Sequence, residues 1–157
     1  MPKGFKKVIK MTALIQRVAR SYVKVGGKEI ASIGQGYNIL LGVMKEDSEE
    51  DVQKLVNKIV KLRIFPNEAG KMDRNIVDVG GEVLVVSQFT LAANLKRGTR
   101  PDFNGAMKPD EAKRLYEVFQ ERLSAFVPVQ SGVFGAMMEV GIINDGPVTI
   151  IADSKVL

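Results

Sequence analysis

"EVLVVSQF", Glu82 to Phe89, is the strongest strand signal in the chain and decides how the rest is read. A β-branched apolar run ends abruptly in the small polar pair Ser87–Gln88, as strands do where they leave a sheet. Upstream, "YNILLGV" (Tyr37–Val43) is nearly unbroken apolar sequence, which predicts a strand covered on both faces. Before it, "TALIQRVARSYVKV" (Thr12–Val25) alternates apolar and polar residues, and "GGKEIASIG" then predicts a hairpin turn at Gly26–Gly27 and a second strand. Between the two buried runs, Ser48 and Asp51 have the spacing of an N-cap and its N3 acid. Val52, Leu55, Val56, Ile59 and Leu62 then recur at three and four residues, so a helix with one apolar face ends before Pro66.

Downstream, "PNEAGKMDRN" reads as loop, Ile76–Val79 as a short strand, and Gly80–Gly81 as the turn into Glu82. Ala92 to Met107 is a long polar connection, a kind of segment that often carries function. Pro109 suits the first turn of a second helix, with Ala112, Leu115, Tyr116, Phe119, Leu123 and Phe126 on its inner face. "SGVFGAMMEVGI" and "PVTIIAD" are two closing strands, in which Phe134, Met137 and Met138 are by default core residues. The predicted order is βββ-α-ββ-α-ββ. It describes one α+β domain with a mostly antiparallel or mixed sheet and two amphipathic helices.

Composition narrows the chemistry. At 157 residues the chain is long enough for one domain with a real core. It has no cysteine and no histidine, which removes disulfides, thiolate sites and most zinc or haem ligation. No cofactor and no metal are expected, and the lack of cysteine fits a cytoplasmic setting. No run approaches the roughly 20 apolar residues of a membrane span. The net charge of +5 is local: Lys3, Lys6, Lys7 and Lys10 lie in the first ten residues, leaving 19 basic against 18 acidic side chains. A global electrostatic case for nucleic-acid binding is therefore weak. Locally, Lys96, Arg97 and Arg100 share one Gly- and Pro-containing loop, for which charge alone favours a solvated surface.

Two stretches place small polar groups against strands. In "SQFT", Ser87, Gln88 and Thr90 offer hydroxyl and amide groups where freed N–H groups could bind an oxyanion. A hydroxyl nucleophile needs an adjacent base, and without histidine a Ser-His-Asp triad is excluded. A strand end capped by polar residues is the plainer reading. "NDGPVT" (Asn144–Thr149) reads plainly as a turn between two strands, with a Gly–Pro bond able to adopt cis at modest cost.

Together, "ALIQRVARSYVKV", "LVVSQFTL", "RGTRPDF" and "MMEVGIINDGPVTI" resemble the D-aminoacyl-tRNA deacylase family, in order and over nearly the whole chain from Met11. Residues 1–10 precede the family's usual start at Met11 and read either as a misassigned start or as a basic N-terminal extension to an 11–157 domain. The resemblance implies a barrel-like, homodimeric, metal-free hydrolase. Its expected substrate is the ester of D-aminoacyl-tRNA, with mischarged glycyl-tRNA beside it, and its role is proofreading in translation. Gly146 and Pro147 match a cis Gly–Pro pair that enters the partner's pocket, captures the α-amino group and refuses L side chains. Arg17 matches the residue fixing that loop. Ser87, Gln88, Phe89 and Thr90 match the wall whose N–H groups bind the ester carbonyl, and Phe134 and Met138 match positions packing on the 3′-terminal adenosine. The implied mechanism is assisted by the substrate's own 2′-hydroxyl. A non-catalytic nucleic-acid-binding dimer of the same fold is the alternative, and an esterase using Thr90 covalently ranks third.

Overall fold

The computed structural model describes residues 9–157. Strand β1 (Thr12–Val25) turns through Gly26 and Gly27, at φ +57° and +80°, into β2 (Lys28–Ile33). Then come β3 (Gly36–Gly42), α1 (Glu49–Lys61), a small hairpin of β4 (Phe65–Pro66) and β5 (Met72–Arg74), and β6 (Glu82–Ser87). A 3-10 turn (Phe89–Ala92) follows, then α2 (Pro109–Ser124), β7 (Val129–Ser131), β8 (Glu139–Asp153) and a last 3-10 turn (Ser154–Val156).

The sheet is mixed and strongly curled. β1 pairs antiparallel with β3 through its first half and with β2 through its second, while β8 runs antiparallel along its other edge. β3–β6 and β6–β7 are parallel. The curl brings β2 round toward β7, where the Ser32 N–H donates to Gln130 Oε1 at 3.0 Å, so the sheet nearly closes into a barrel.

Each face of the curl has its own apolar cluster. Ile15, Tyr37, Ile39, Val83 and Val85 meet Leu55, Ile59, Leu115 and Phe119 of the two helices, all essentially fully buried. On the other face Val18, Val23, Ala31, Ile33, Leu84 and Val86 pack together. This two-sided burial is why β3 and β6 are nearly continuous apolar runs. The Ser48–Asp51 spacing works as expected, because the Ser48 N–H donates to Asp51 Oδ2 at 2.9 Å. The same carboxylate accepts from Ser154 Oγ at 2.8 Å, which ties the start of α1 to the chain's end.

Five sequence expectations are corrected. Ile76–Val79 is a turn, closed by Asn75 and Asp78 each accepting the other's backbone N–H at 2.8–3.0 Å. The strand in this region is Met72–Arg74, inside the stretch read as loop. Phe126 lies beyond α2 and is 51% exposed, so it is no part of the helix's buried face. "SGVFGAMMEVGI" is not one strand: β7 stops at Ser131, β8 starts at Glu139, and Met137 between them is 91% exposed. "NDGPVT" is not a turn between strands either, because β8 continues through it. Gln16 pairs with Thr149 and Val18 with Asn144, so two steps along β1 face five along β8 and Asp145–Val148 bulge out of the ladder. Composition cannot distinguish these outcomes, since Asn, Asp, Gly and Pro serve bulges and turns alike.

Of the basic extension, residues 1–8 lie outside the described residues. Lys10 is held against the domain: its N–H donates to Asp153 Oδ1 at 3.2 Å, and its ammonium lies 3.7 Å from Asp51.

Candidate active site

The C-terminal end of β6 opens into a cavity of about 630 Å³. Its size is that of a small-ligand site. Val86, Ser87, Gln88 and Phe89 form one wall. Phe134, Gly135, Met137 and Met138, from the β7–β8 loop, form another, and Phe103, Met107, Lys108 and Ala112 close the mouth. Among the described residues Lys108 is the one charged side chain in the lining. Ser87, Gln88, Phe89, Phe134 and Met138, five of the nine residues singled out in the sequence, therefore meet in one place.

β6 is fixed where it reaches this cavity. Tyr116 of α2 donates its hydroxyl to the Val85 carbonyl at 2.9 Å, and its ring lies 5.7 Å from that of Phe134. Burial pushes the Tyr116 phenol up to about 12, against the opposing pull of hydrogen bonds from Ser131 and Ser87, so it remains a neutral donor at ordinary pH. Beyond β6 the Gln88 N–H is engaged by the Leu41 carbonyl at 2.8 Å. The N–H groups of Phe89 and Thr90 open the 3-10 turn and have no protein acceptor among the described residues, as is usual for a helical first turn. Thr90 itself is exposed and lies outside the cavity lining. Its hydroxyl accepts a hydrogen bond from the Gln88 side-chain amide.

Arg17, Gly146 and Pro147 form a second cluster, also outside that lining. The Gly146–Pro147 bond is cis, and both residues are exposed on the β8 bulge. Arg17 is only 8% exposed. It donates from Nη1 to the Ile64 carbonyl at 2.6 Å and from Nε to the Asp145 carbonyl at 3.2 Å, with Asp145 Oδ2 at 3.3 Å. Asn144 completes the clamp by donating from Nδ2 to the carbonyls of Arg17 and Val148, at 2.9 and 3.0 Å. The bulge sits opposite Arg17 of β1, whereas the cavity lies past Ser87, whose row runs through Leu41 to Ala13. Four residues of extended strand, about 13 Å, separate the two rows.

Sequence reasoning missed Phe103, Lys108 and Gly135 as cavity residues. The signal for Phe103 was within "RGTRPDF"; Lys108 and Gly135 carry none, because only the folded loops bring them to the mouth. Among the described residues no three Asp or Glu side chains cluster as a metal site.

A curled mixed sheet with two helices, an uncharged wall of hydroxyl, amide and N–H groups, and an apolar opposite wall suit an ester hydrolase without a histidine-based nucleophile. The comparisons give that class its family. The model of the D-Tyr-tRNA(Tyr) deacylase family matches residues 14–153, and the chain belongs to this family. A D-aminoacyl-tRNA deacylase from a Nitratiruptor species is 69% identical over 147 residues, covering 94% of this chain and all of that one. One from Persephonella marina is 58% identical over the same coverage. Among solved structures, a c-Myc DNA Unwinding Element Binding Protein superposes with a TM-score of 0.85 at 43% identity, covering 90% of this chain and 97% of that one. A probable eukaryotic D-amino acid tRNA deacylase shares the fold with a TM-score of 0.80 at 16% identity, covering 91% and 98%.

Proposed function

We propose that the protein hydrolyses the ester of D-aminoacyl-tRNA, and that of mischarged glycyl-tRNA, releasing the amino acid and tRNA as a proofreading step in the cytoplasm. The observation that carries this reading is the convergence of Ser87, Gln88, Phe89, Phe134 and Met138 on one cavity with an uncharged polar wall and an apolar one. The 3′-terminal adenosine packs on Phe134 and Met138. The ester carbonyl points at the free N–H groups of Phe89 and Thr90, which also stabilise the tetrahedral oxyanion. An aminoacyl ester is already activated relative to an amide, so orientation and oxyanion binding, with the substrate's 2′-hydroxyl guiding water, meet the chemical need.

Chirality is assigned to the Gly146–Pro147 loop of a second copy, entering this cavity from the partner. Two features support a homodimer. The loop projects well away from its own chain's cavity, and the outer edge of the 15-residue β8 pairs with nothing among the described residues while exposing Ile143 and Ile151. In the pocket the loop's carbonyls hold the α-amino group, and the backbone leaves no room for an L side chain. Glycine, having none, passes.

A direct test is release of amino acid from D-Tyr-, L-Tyr- and Gly-charged tRNA by the purified protein. Loss of the D-Tyr and Gly esters with L-Tyr spared is expected, unchanged by EDTA, because the chain offers neither histidine nor cysteine as a ligand. The 43%-identical structure named as a DNA-element binding protein favours a second reading, nucleic-acid binding without catalysis. Tight tRNA binding with no release would establish it.

Arg17→Ala tests the loop assignment. It removes two hydrogen bonds to backbone carbonyls, at a cost of about 1–3 kcal/mol, and frees the bulge. Chiral selection, as the ratio of kcat/KM for D-Tyr- over L-Tyr-tRNA, should fall about tenfold or more, which corresponds to about 1.4 kcal/mol. Sedimentation should still give a dimer. Unchanged rejection of the L-ester would remove Arg17 from this role.

A further inference from the structure

Of the eight arginines, Arg17, Arg20, Arg63, Arg74, Arg114 and Arg122 each hold an ion pair. Arg97 and Arg100 hold none among the described residues, and both are exposed. They stand at the tip of one loop whose neck is built. Asn94 and Asp102 exchange backbone hydrogen bonds at 2.8 and 3.0 Å, and their side chains accept the N–H groups of Lys96 and Asn104 at 2.9 and 2.8 Å. Gly98, at φ +61°, turns the tip. Both ends of the neck lead into the cavity wall, since Phe89 before it and Phe103 after it meet edge to face at 5.1 Å. Phe103 is three steps along the chain from Arg100, so the Arg100 backbone stands within about 11 Å of the cavity mouth.

Beside the loop lies a second hollow of about 870 Å³, walled by Lys45, Lys96, Asn94 and Asn104, with Glu46 and Asp102 as its acids. The 102–108 segment divides it from the cavity, and Lys108 stands on the cavity side. Lys45 and Lys96 thus line the hollow, Lys108 lines the cavity that holds the proposed terminal-adenosine pocket, and Arg97 and Arg100 stand exposed on the loop that leads from Lys96 to Asp102. A planar guanidinium without a carboxylate partner is suited to bidentate phosphate binding.

We infer that Arg97 and Arg100, backed by Lys45, Lys96 and Lys108, grip the backbone phosphates of the tRNA acceptor end just before its terminal nucleoside. This deepens the proposed function and rests on it. The near-neutral body of the protein is then no objection, because the attraction is concentrated where the substrate's last phosphates pass.

The test compares wild type with R97E/R100E and the milder R97A/R100A on two substrates, D-Tyr-tRNA and D-Tyr-adenosine, which lacks every phosphate. On D-Tyr-tRNA the charge reversal should raise KM about tenfold or more while kcat holds, and R97A/R100A should flatten the dependence of log KM on log salt by about 1.4–1.8. On D-Tyr-adenosine all three proteins should be equal. Unchanged KM and salt slope on D-Tyr-tRNA would overturn the inference, as would an equal loss on both substrates, which would place the arginines in pocket structure instead. Wild type inactive on both substrates would defeat the deacylase reading itself. Preferential binding of duplex DNA over tRNA, abolished in R97E/R100E, would assign the loop to the other nucleic acid and overturn it too.

Discussion

Gly36→Ala should cost the protein its fold or most of its stability. Gly36 opens β3 at the point where β3 meets β6, directly opposite Glu82. A Cβ built there would overlap the Glu82 carbonyl oxygen outright and lie 2.7 Å from its backbone carbon and nitrogen. The obstacle is main chain in a parallel pair, so no side chain can rotate away. Either β6 shifts, taking Val83, Val85 and Ser87 with it, or the β3–β6 ladder opens. Overpacking a core typically costs about 1–3 kcal/mol. A main-chain overlap belongs with the exceptional substitutions above about 4 kcal/mol, against a total stability of about 5–15 kcal/mol. A fall in Tm of about 10 °C or more is expected for a chain of this size. Gly34→Ala is the control, because a Cβ there meets only Glu82 Oε2 at an ordinary 3.7 Å. Equal melting of the two variants by circular dichroism would contradict this account of the β3–β6 junction.

Gly36 also shows what a sequence does and does not disclose. The strands β1, β3 and β6 and both helices were legible because each carries a periodic or continuous apolar pattern imposed by the faces it buries. Nothing local marks Gly36 as the contact between two parallel strands, since its constraint comes from Glu82, far along the chain. The same limit explains the misread segments. Ile76 is fully buried within a turn, so one buried apolar residue looked like strand. Phe126 continues the spacing of α2 after the helix has stopped, and periodicity alone cannot see that end. Phe134 and Met138 do reach a shared cavity, but from a loop, because Gly132–Met138 leaves the sheet between β7 and β8. At the site, residue types predicted which groups were available. Only the fold showed that the Gln88 N–H is spent on Leu41 while those of Phe89 and Thr90 are not.

Thr90→Ala should leave most of the turnover of D-Tyr-tRNA intact, whereas removing the 2′-hydroxyl of the terminal adenosine should slow it about 10²–10⁴-fold, the range for loss of proton-transfer assistance. A covalent role for Thr90 requires a group that takes its proton. The hydroxyl's one partner among the described residues is the Gln88 amide, which donates to it. A carboxamide is no general base, so this partner cannot take the proton that nucleophilic attack must release. The Thr90 N–H, by contrast, survives substitution by alanine. If water is guided by the substrate and the oxyanion is held by main chain, the deoxy substrate suffers and the mutant does not. Single-turnover deacylation of D-Tyr-tRNA and its 2′-deoxy counterpart, by wild type and Thr90→Ala, separates the mechanisms. A folded, substrate-binding but inactive Thr90→Ala beside an unimpaired deoxy substrate would transfer the chemistry to the side chain. Loss of both would show that each hydroxyl contributes to the chemical step.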